Sequence, residues 1–250
     1  MVAARRAIEG SREARMTDQK MSLGLKILTA AAILLVLAAG CLVFLYAPRE
    51  RVMGEVQRVF YFHVASAWVG MLSFVVAAVA GVTYLVRRTR TWDLVGVSSV
   101  EIGMVFGLIA ILSGSIWARP VWNTWWTWDP RLVTTTIMEL VYAAYVLLRQ
   151  GVEDPERRAR FGAVYAIVGV LTVPITFLSI RFLRTIHPVV IGSGNAAAQG
   201  AFDMTPPMLQ TFMFSLLAFS VLYFALLLHR VRLARRAEAL EMRRAELAAD

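Results

Sequence analysis

Apolar residues run in six long blocks along the chain, separated by short stretches rich in Arg, Glu, Gly and Pro. The blocks lie at about Leu25–Tyr46, Val64–Val86, Leu94–Trp117, Leu132–Leu148, Phe161–Ile180 and Met208–Leu228. Each approaches or exceeds the roughly 20 helical residues needed to cross a hydrocarbon core. The pattern predicts an all-α integral membrane protein with six transmembrane helices. The first block sits where a signal peptide would. Its apolar run is longer than an h-region, however, so it reads as a retained span. Pro174 interrupts the fifth block and predicts a kink. Beyond the sixth, Arg230–Asp250 reads as helix continuing from the span, with i,i+3 charge pairs such as Arg235/Glu238, Glu241/Arg244 and Arg243/Glu246. The layout expected is a basic N-terminal tail over 1–24, a membrane domain over 25–229 with a Trp-rich loop at 117–132, and a basic tail over 230–250. The last reads as a solvated anchor, with docking onto a partner as the alternative.

Composition agrees with a membrane setting. Hydrophobic residues make up 58% of the 250 and charged residues 17%, against roughly 45–50% and 25% in soluble domains. The net charge of +9 would suggest nucleic acid in a soluble protein, but here it serves as a topology signal. Of 26 Lys+Arg, 19 fall in the two tails and in the connections after the second and fourth blocks, leaving 7 on the opposite side. The positive-inside rule then places both termini in the cytoplasm and the 7-residue side outside. The single cysteine, Cys41, excludes a disulfide framework, a C-x-x-C thiol pair, a C-x-x-C-H attachment site for covalent haem and a thiolate metal cluster. No phosphate-cradling G-x-x-x-x-G-K-[ST] loop is present.

The unusual residues converge on the outer side. Five of seven tryptophans lie between Trp117 and Trp128. An interfacial belt would spread its aromatics over many helix ends, whereas this cluster occupies one connection. Trp122, Trp125, Trp126 and Asp129 fall at i, i+3, i+4 and i+7, which predicts a short Trp-rich amphipathic helix lying in the interface. Pro130 ends it, and Asp129 is placed to N-cap the fourth span. Of three histidines, His63 and His187 share this face, while His229 sits at the other. Two neutral imidazoles beside an indole platform suit a flat, apolar, metal-bearing ligand such as haem, with the imidazoles as axial ligands. Cations for its propionates are available at Arg58, Arg119, Arg131, Arg181 and Arg184, and spacing does not choose among them. A zinc site would lack its remaining ligands.

The run Trp117-Ala-Arg-Pro-Val-Trp-Asn-Thr-Trp-Trp-Thr-Trp-Asp-Pro-Arg-Leu132 resembles the WWD signature of the haem-handling membrane proteins of system I cytochrome c maturation. Six spans, the chain length, and one His before span two with another after span five resemble the CcmC family in particular. The resemblance covers about Leu25 to Leu228. It implies haem b bound at the periplasmic face of the bacterial inner membrane, with His63 and His187 as axial ligands. Trp122, Trp125, Trp126, Trp128 and Asp129 would form the platform, and Arg119, Arg131 and Arg184 are the cations assigned to its rim. It further implies transfer of haem without catalysis to the periplasmic haem chaperone CcmE, with CcmD, the ABC transporter components CcmA and CcmB, and membrane lipid as partners, and no nucleic acid. Two positions depart from the signature: Asn123 stands where Gly is usual, and Val133 precedes Thr134.

Val189-Val-Ile-Gly-Ser-Gly-Asn-Ala-Ala197 mimics a dinucleotide fingerprint, but no βαβ unit fits around it, so it reads as a loop beside the site. Glu101 and Glu139 lie within spans. Glu101 is expected to hydrogen-bond a Ser, Thr or Tyr on a neighbouring helix, and Glu139 to support the site from beneath. Two other functions remain alternatives. A small-molecule permease would have facing broken helices near the midplane, and a quinol-oxidising b-haem protein would have histidines at membrane depth.

Overall fold

The computed structural model describes residues 21–50, 53–189 and 204–249. Most of the 1–24 tail and most of the Val189–Ala197 loop therefore lie outside the described residues. Among the described residues, six helices are long and apolar enough to cross a membrane, and the chain is a multi-pass, all-helical membrane protein. Seven helical segments build these spans: α1 (Leu23–Cys41, extended by a π-type turn Leu42–Tyr46), α2 (Gln57–Arg87), α3 (Arg90–Trp122), α4 (Pro130–Gln150), α5 (Pro155–Gly169), α6 (Thr172–Phe182) and α7 (Pro206–Ala249). The fifth span is α5 and α6 together.

Local chemistry sets the ends. Ser22 caps α1 by accepting the Leu25 N–H, and Asp154 caps α5 from the Arg157 N–H, with Pro155 at the first position. The same pairing opens α4, where Asp129 accepts the Arg131 N–H at 2.9 Å ahead of Pro130. Arg88 and Asn123 close α2 and α3 in the left-handed region, with φ of 52° and 56°. Pro174 has no N–H to offer the Val170 carbonyl. That carbonyl instead accepts from Val173 at 3.0 Å, and the helix breaks between α5 and α6. The helical C-terminal extension runs on to Ala249 as the pattern predicts, and its Glu238 pairs with Arg90 at the start of α3.

Between helices in lipid there is no water-driven apolar collapse, so close approach depends on small residues and polar contacts. The antiparallel pair α2 and α3 forms the centre, with Gly70 against Gly107: a Cβ on Gly70 would sit 3.4 Å from the Gly107 nitrogen. Phe74 of α2 stacks on Tyr142 of α4, ring centroids 3.5 Å apart. Helix α7 packs on α1, α2 and α3, while α6 lies mainly on α4. His229 of α7 meets Thr29 of α1 at 2.8 Å. Glu101 corrects its expectation: it pairs with Arg230 of α7 at 2.7 Å, a charged partner in place of a hydroxyl. At the same end of the bundle Asp93 and Arg149, both buried, form a two-point ion pair at 2.6 and 3.1 Å.

The expected Trp-rich helix is corrected as well. Helix α3 continues to Trp122, and residues 123–129 are non-helical. The left-handed Asn123 terminates α3, and a local turn follows in which the Thr124 hydroxyl donates to the Trp126 carbonyl at 2.9 Å. Trp122 therefore belongs to a span, and Trp125, Trp126 and Trp128 belong to a loop.

Candidate functional site

Antiparallel threading brings the start of α2, the end of α3, the start of α4 and the end of α6 to one end of the bundle, where a cavity opens between them. Its walls hold both His63 and His187, with Trp117, Trp122, Trp125 and Trp126. His63 projects from α2. Its Nδ1 lies 2.9 Å from the Ala110 carbonyl and 3.3 Å from the Ser113 hydroxyl of α3. Room for the ring comes from Gly114, where a Cβ would stand 2.8 Å from His63 Cε1.

His187 sits on the arm that leaves α6, and its Nδ1 lies 3.1 Å from the Pro188 carbonyl. A carbonyl only accepts, so each Nδ1 carries the proton and each Nε2 keeps its lone pair. The two ring centroids are 6.5 Å apart with planes inclined by 40°. Burial, reinforced by Arg131 and His63, pushes the His187 pKa down from 6.5 to about 3, so this imidazole is neutral near pH 7.

The indoles frame the same space. Trp122 approaches His187 edge-on at 6.4 Å and Trp117 at 5.2 Å. Trp117 Nε1 is buried and meets no hydrogen-bond partner among the described residues, leaving a donor on the cavity wall. Arg131 and Arg181 also line the cavity, with the Phe177 ring between them at 5.9 and 4.7 Å. Arg131 additionally donates to the Thr176 carbonyl. The site is thus an aromatic slot with two neutral imidazoles and two cations. At about 150 Å³ it is smaller than the ~300–1,000 Å³ pockets that engulf drug-sized ligands. A large flat ligand would be gripped along part of its area with an edge left outside.

Of the residues brought forward by the sequence, His63, His187, Trp117, Trp122, Trp125, Trp126, Arg131 and Arg181 meet here. The others do not line the cavity. Arg119 donates to the Asn123 carbonyl at 2.7 Å and lies over Trp125 at 6.0 Å, bracing the loop. Arg58 pairs with Glu55 beside a separate groove. Trp128, Asp129 and Arg184 border a second, shallow depression. Asp129 is buried and accepts from the Thr185 hydroxyl and the Ile186 N–H. Glu139 lies below, its Oε1 buried against Gly107 of the cavity wall with no partner among the described residues. Sequence reasoning left Arg181 unselected and overlooked Gly114 and Thr185. Arg181 had a legible signal, since it follows Phe177 by one helical turn and shares its face.

A family model described as heme exporter protein C matches residues 11–246. The heme exporter protein C of Bradyrhizobium diazoefficiens is 33% identical over 218 residues, covering 86% of this chain and 82% of that protein. The one from Rhodobacter capsulatus is 32% identical, covering 86% and 88%. The Escherichia coli K12 protein of the same name is 30% identical over 189 residues, covering 76% and 74%.

Proposed function

The chain belongs to the CcmC, or heme exporter protein C, family, and from that membership we propose that it holds haem b between His63 and His187 and hands it to an acceptor at the Trp-rich end. A role in haem handling for cytochrome c maturation is common to the family. The finer reading is supported above all by one observation. Both imidazoles on the cavity wall are held through Nδ1 by backbone carbonyls, the arrangement that fixes a ligating histidine and frees its Nε2. The separation agrees: two metal–imidazole bonds of about 2.0–2.1 Å and about 1.2 Å from each nitrogen to its ring centre span about 6.5 Å, matching the 6.5 Å between centroids.

The remaining groups suit the same cargo. Bound haem brings an iron that accepts two axial nitrogens and a macrocycle whose carboxylates need cations. Trp122, Trp125 and Trp126 offer aromatic surface, and Arg131 and Arg181 offer guanidinium groups for the carboxylates. The small cavity leaves an edge exposed, as release to another protein requires. The concentration of 19 of 26 Lys+Arg on one side supports cytoplasmic termini and a periplasmic site in the inner membrane. The acceptor would be the haem chaperone CcmE, with CcmD, CcmA and CcmB as companions. The chain acts in this reading as a carrier and not as an enzyme.

Absorption spectra of purified wild type, His63→Ala and His187→Ala test the site. Wild type should show a Soret band with a six-coordinate low-spin signature, and each variant should lose it or convert it. His229→Ala, at the opposite end, should match wild type. A wild type that binds no added haem sinks the proposal.

A further inference from the structure

Where His187 stands is decided by a short relay of hydrogen bonds. Helix α6 ends at Phe182 and Leu183 is extended, so the arm carrying His187 has no helical ladder of its own. Asp129, at the N-terminus of α4, reaches across to it. Its carboxylate accepts the Thr185 hydroxyl (2.7 Å to Oδ2, 2.9 Å to Oδ1) and the Ile186 N–H at 2.8 Å, besides capping α4. The Thr185 oxygen in turn accepts the backbone N–H of His187 at 2.9 Å. A hydroxyl has one donor and two lone pairs. Here the donor faces α4 and an acceptor faces the histidine. The His187 ring is tied to Pro188 within the arm. Its orientation relative to His63, which rests on α3, thus passes through Thr185 and Asp129. Thr185 is 3% exposed and borders the shallow depression rather than the cavity, so it acts without touching the ligand.

We infer that Thr185 is a positioning residue for His187, its hydroxyl holding the imidazole at the distance from His63 at which both can ligate one metal centre. The inference rests on the haem reading above and adds to it how firmly the cargo is held. A valine has the shape of threonine without the hydroxyl, leaving Asp129 short of a donor and the His187 N–H without its acceptor. A serine keeps both bonds.

The test uses the full-length protein in detergent, loaded with haem, as wild type, T185S and T185V. Three measurements are made: the spin state of ferric iron by electron paramagnetic resonance, haem loss to an excess of soluble apo-globin, and the apoprotein unfolding temperature. Wild type and T185S should be low-spin with equal loss rates. T185V should become partly high-spin and lose haem about tenfold faster, about one hydrogen bond's worth, with its unfolding temperature lowered by no more than about 5 °C. A low-spin T185V with wild-type loss overturns the inference while leaving the haem reading standing. A T185V defect that serine does not repair, or that comes with a larger fall in unfolding temperature than this, also overturns it. A wild type that takes up no haem overturns the haem reading first, and this inference with it.

Discussion

Asn123 shows how one backbone angle can account for a departure from a motif. Its φ of 56° lies in the left-handed region, which glycine enters freely and asparagine more readily than most other residues. Where the WWD signature has Gly, this chain keeps the required conformation with Asn, and the Asn123 side chain adds an acceptor 2.8 Å from Arg119. Replacing it tests this directly. Asn123→Gly should leave stability within about 0.5 kcal/mol, because both residues tolerate the angle. Asn123→Val should cost about 1–2 kcal/mol and loosen the Trp loop. Denaturant titration in detergent micelles measures both. Residue identity made His63 and His187 candidates from the outset, but their proton positions became readable only with the Ala110 and Pro188 carbonyls in place.

At the scale of elements, the break between α5 and α6 and the non-helical Trp loop are decided differently. Pro174 acts through a missing donor, a local cause visible in the sequence, and the kink it predicts is present. Pro174→Ala should let α5 and α6 join and swing the arm. We expect weaker haem retention, while thermal stability holds or rises by on the order of 1 kcal/mol as an intrahelical hydrogen bond is regained. Haem titration beside a thermal melt separates these effects. The Trp loop misled because four residues at i, i+3, i+4 and i+7 match a helical face too briefly to outweigh their termini. A left-handed Asn123 at one end and an Asp129-Pro130 cap at the other leave the residues between them outside any helix.

For the molecule as a whole, stability and site separate to opposite ends. Away from the cavity, Asp93 and Arg149 are 5% and 9% exposed and pair across α3 and α4, with Arg90 adding a contact to Asp93. Breaking a buried pair strands a charge, at about 3–5 kcal/mol, whereas removing both partners costs far less. Asp93→Ala and Arg149→Ala should each lower the unfolding midpoint markedly, and the double variant should recover much of the loss. A double-mutant cycle reads the coupling. Haem binding by whatever fraction stays folded should be unchanged, since the pair lies at the far end from His63 and His187. Glu101 belongs to this same end through Arg230. Its partner was not legible because the register of α7 against α3 is set by side chains packed 129 positions apart in sequence.

The sequence by itself determined the six spans, the Asp129 cap, the Pro174 break and the convergence of His63, His187 and the tryptophans on one end, because hydrophobic length, prolyl backbone chemistry and alternating span direction are local or counted properties. Only the tertiary structure decided which neighbours meet. It set Arg131 and Arg181 on the cavity wall, turned Arg119 to the Asn123 carbonyl, put Arg184 beside the shallow depression, and bound Asp129 to Thr185. The physical reason is reach. A side chain's partner lies within about 3 Å, and which groups come that close depends on the rotation and depth of each helix against the next, which no single span encodes.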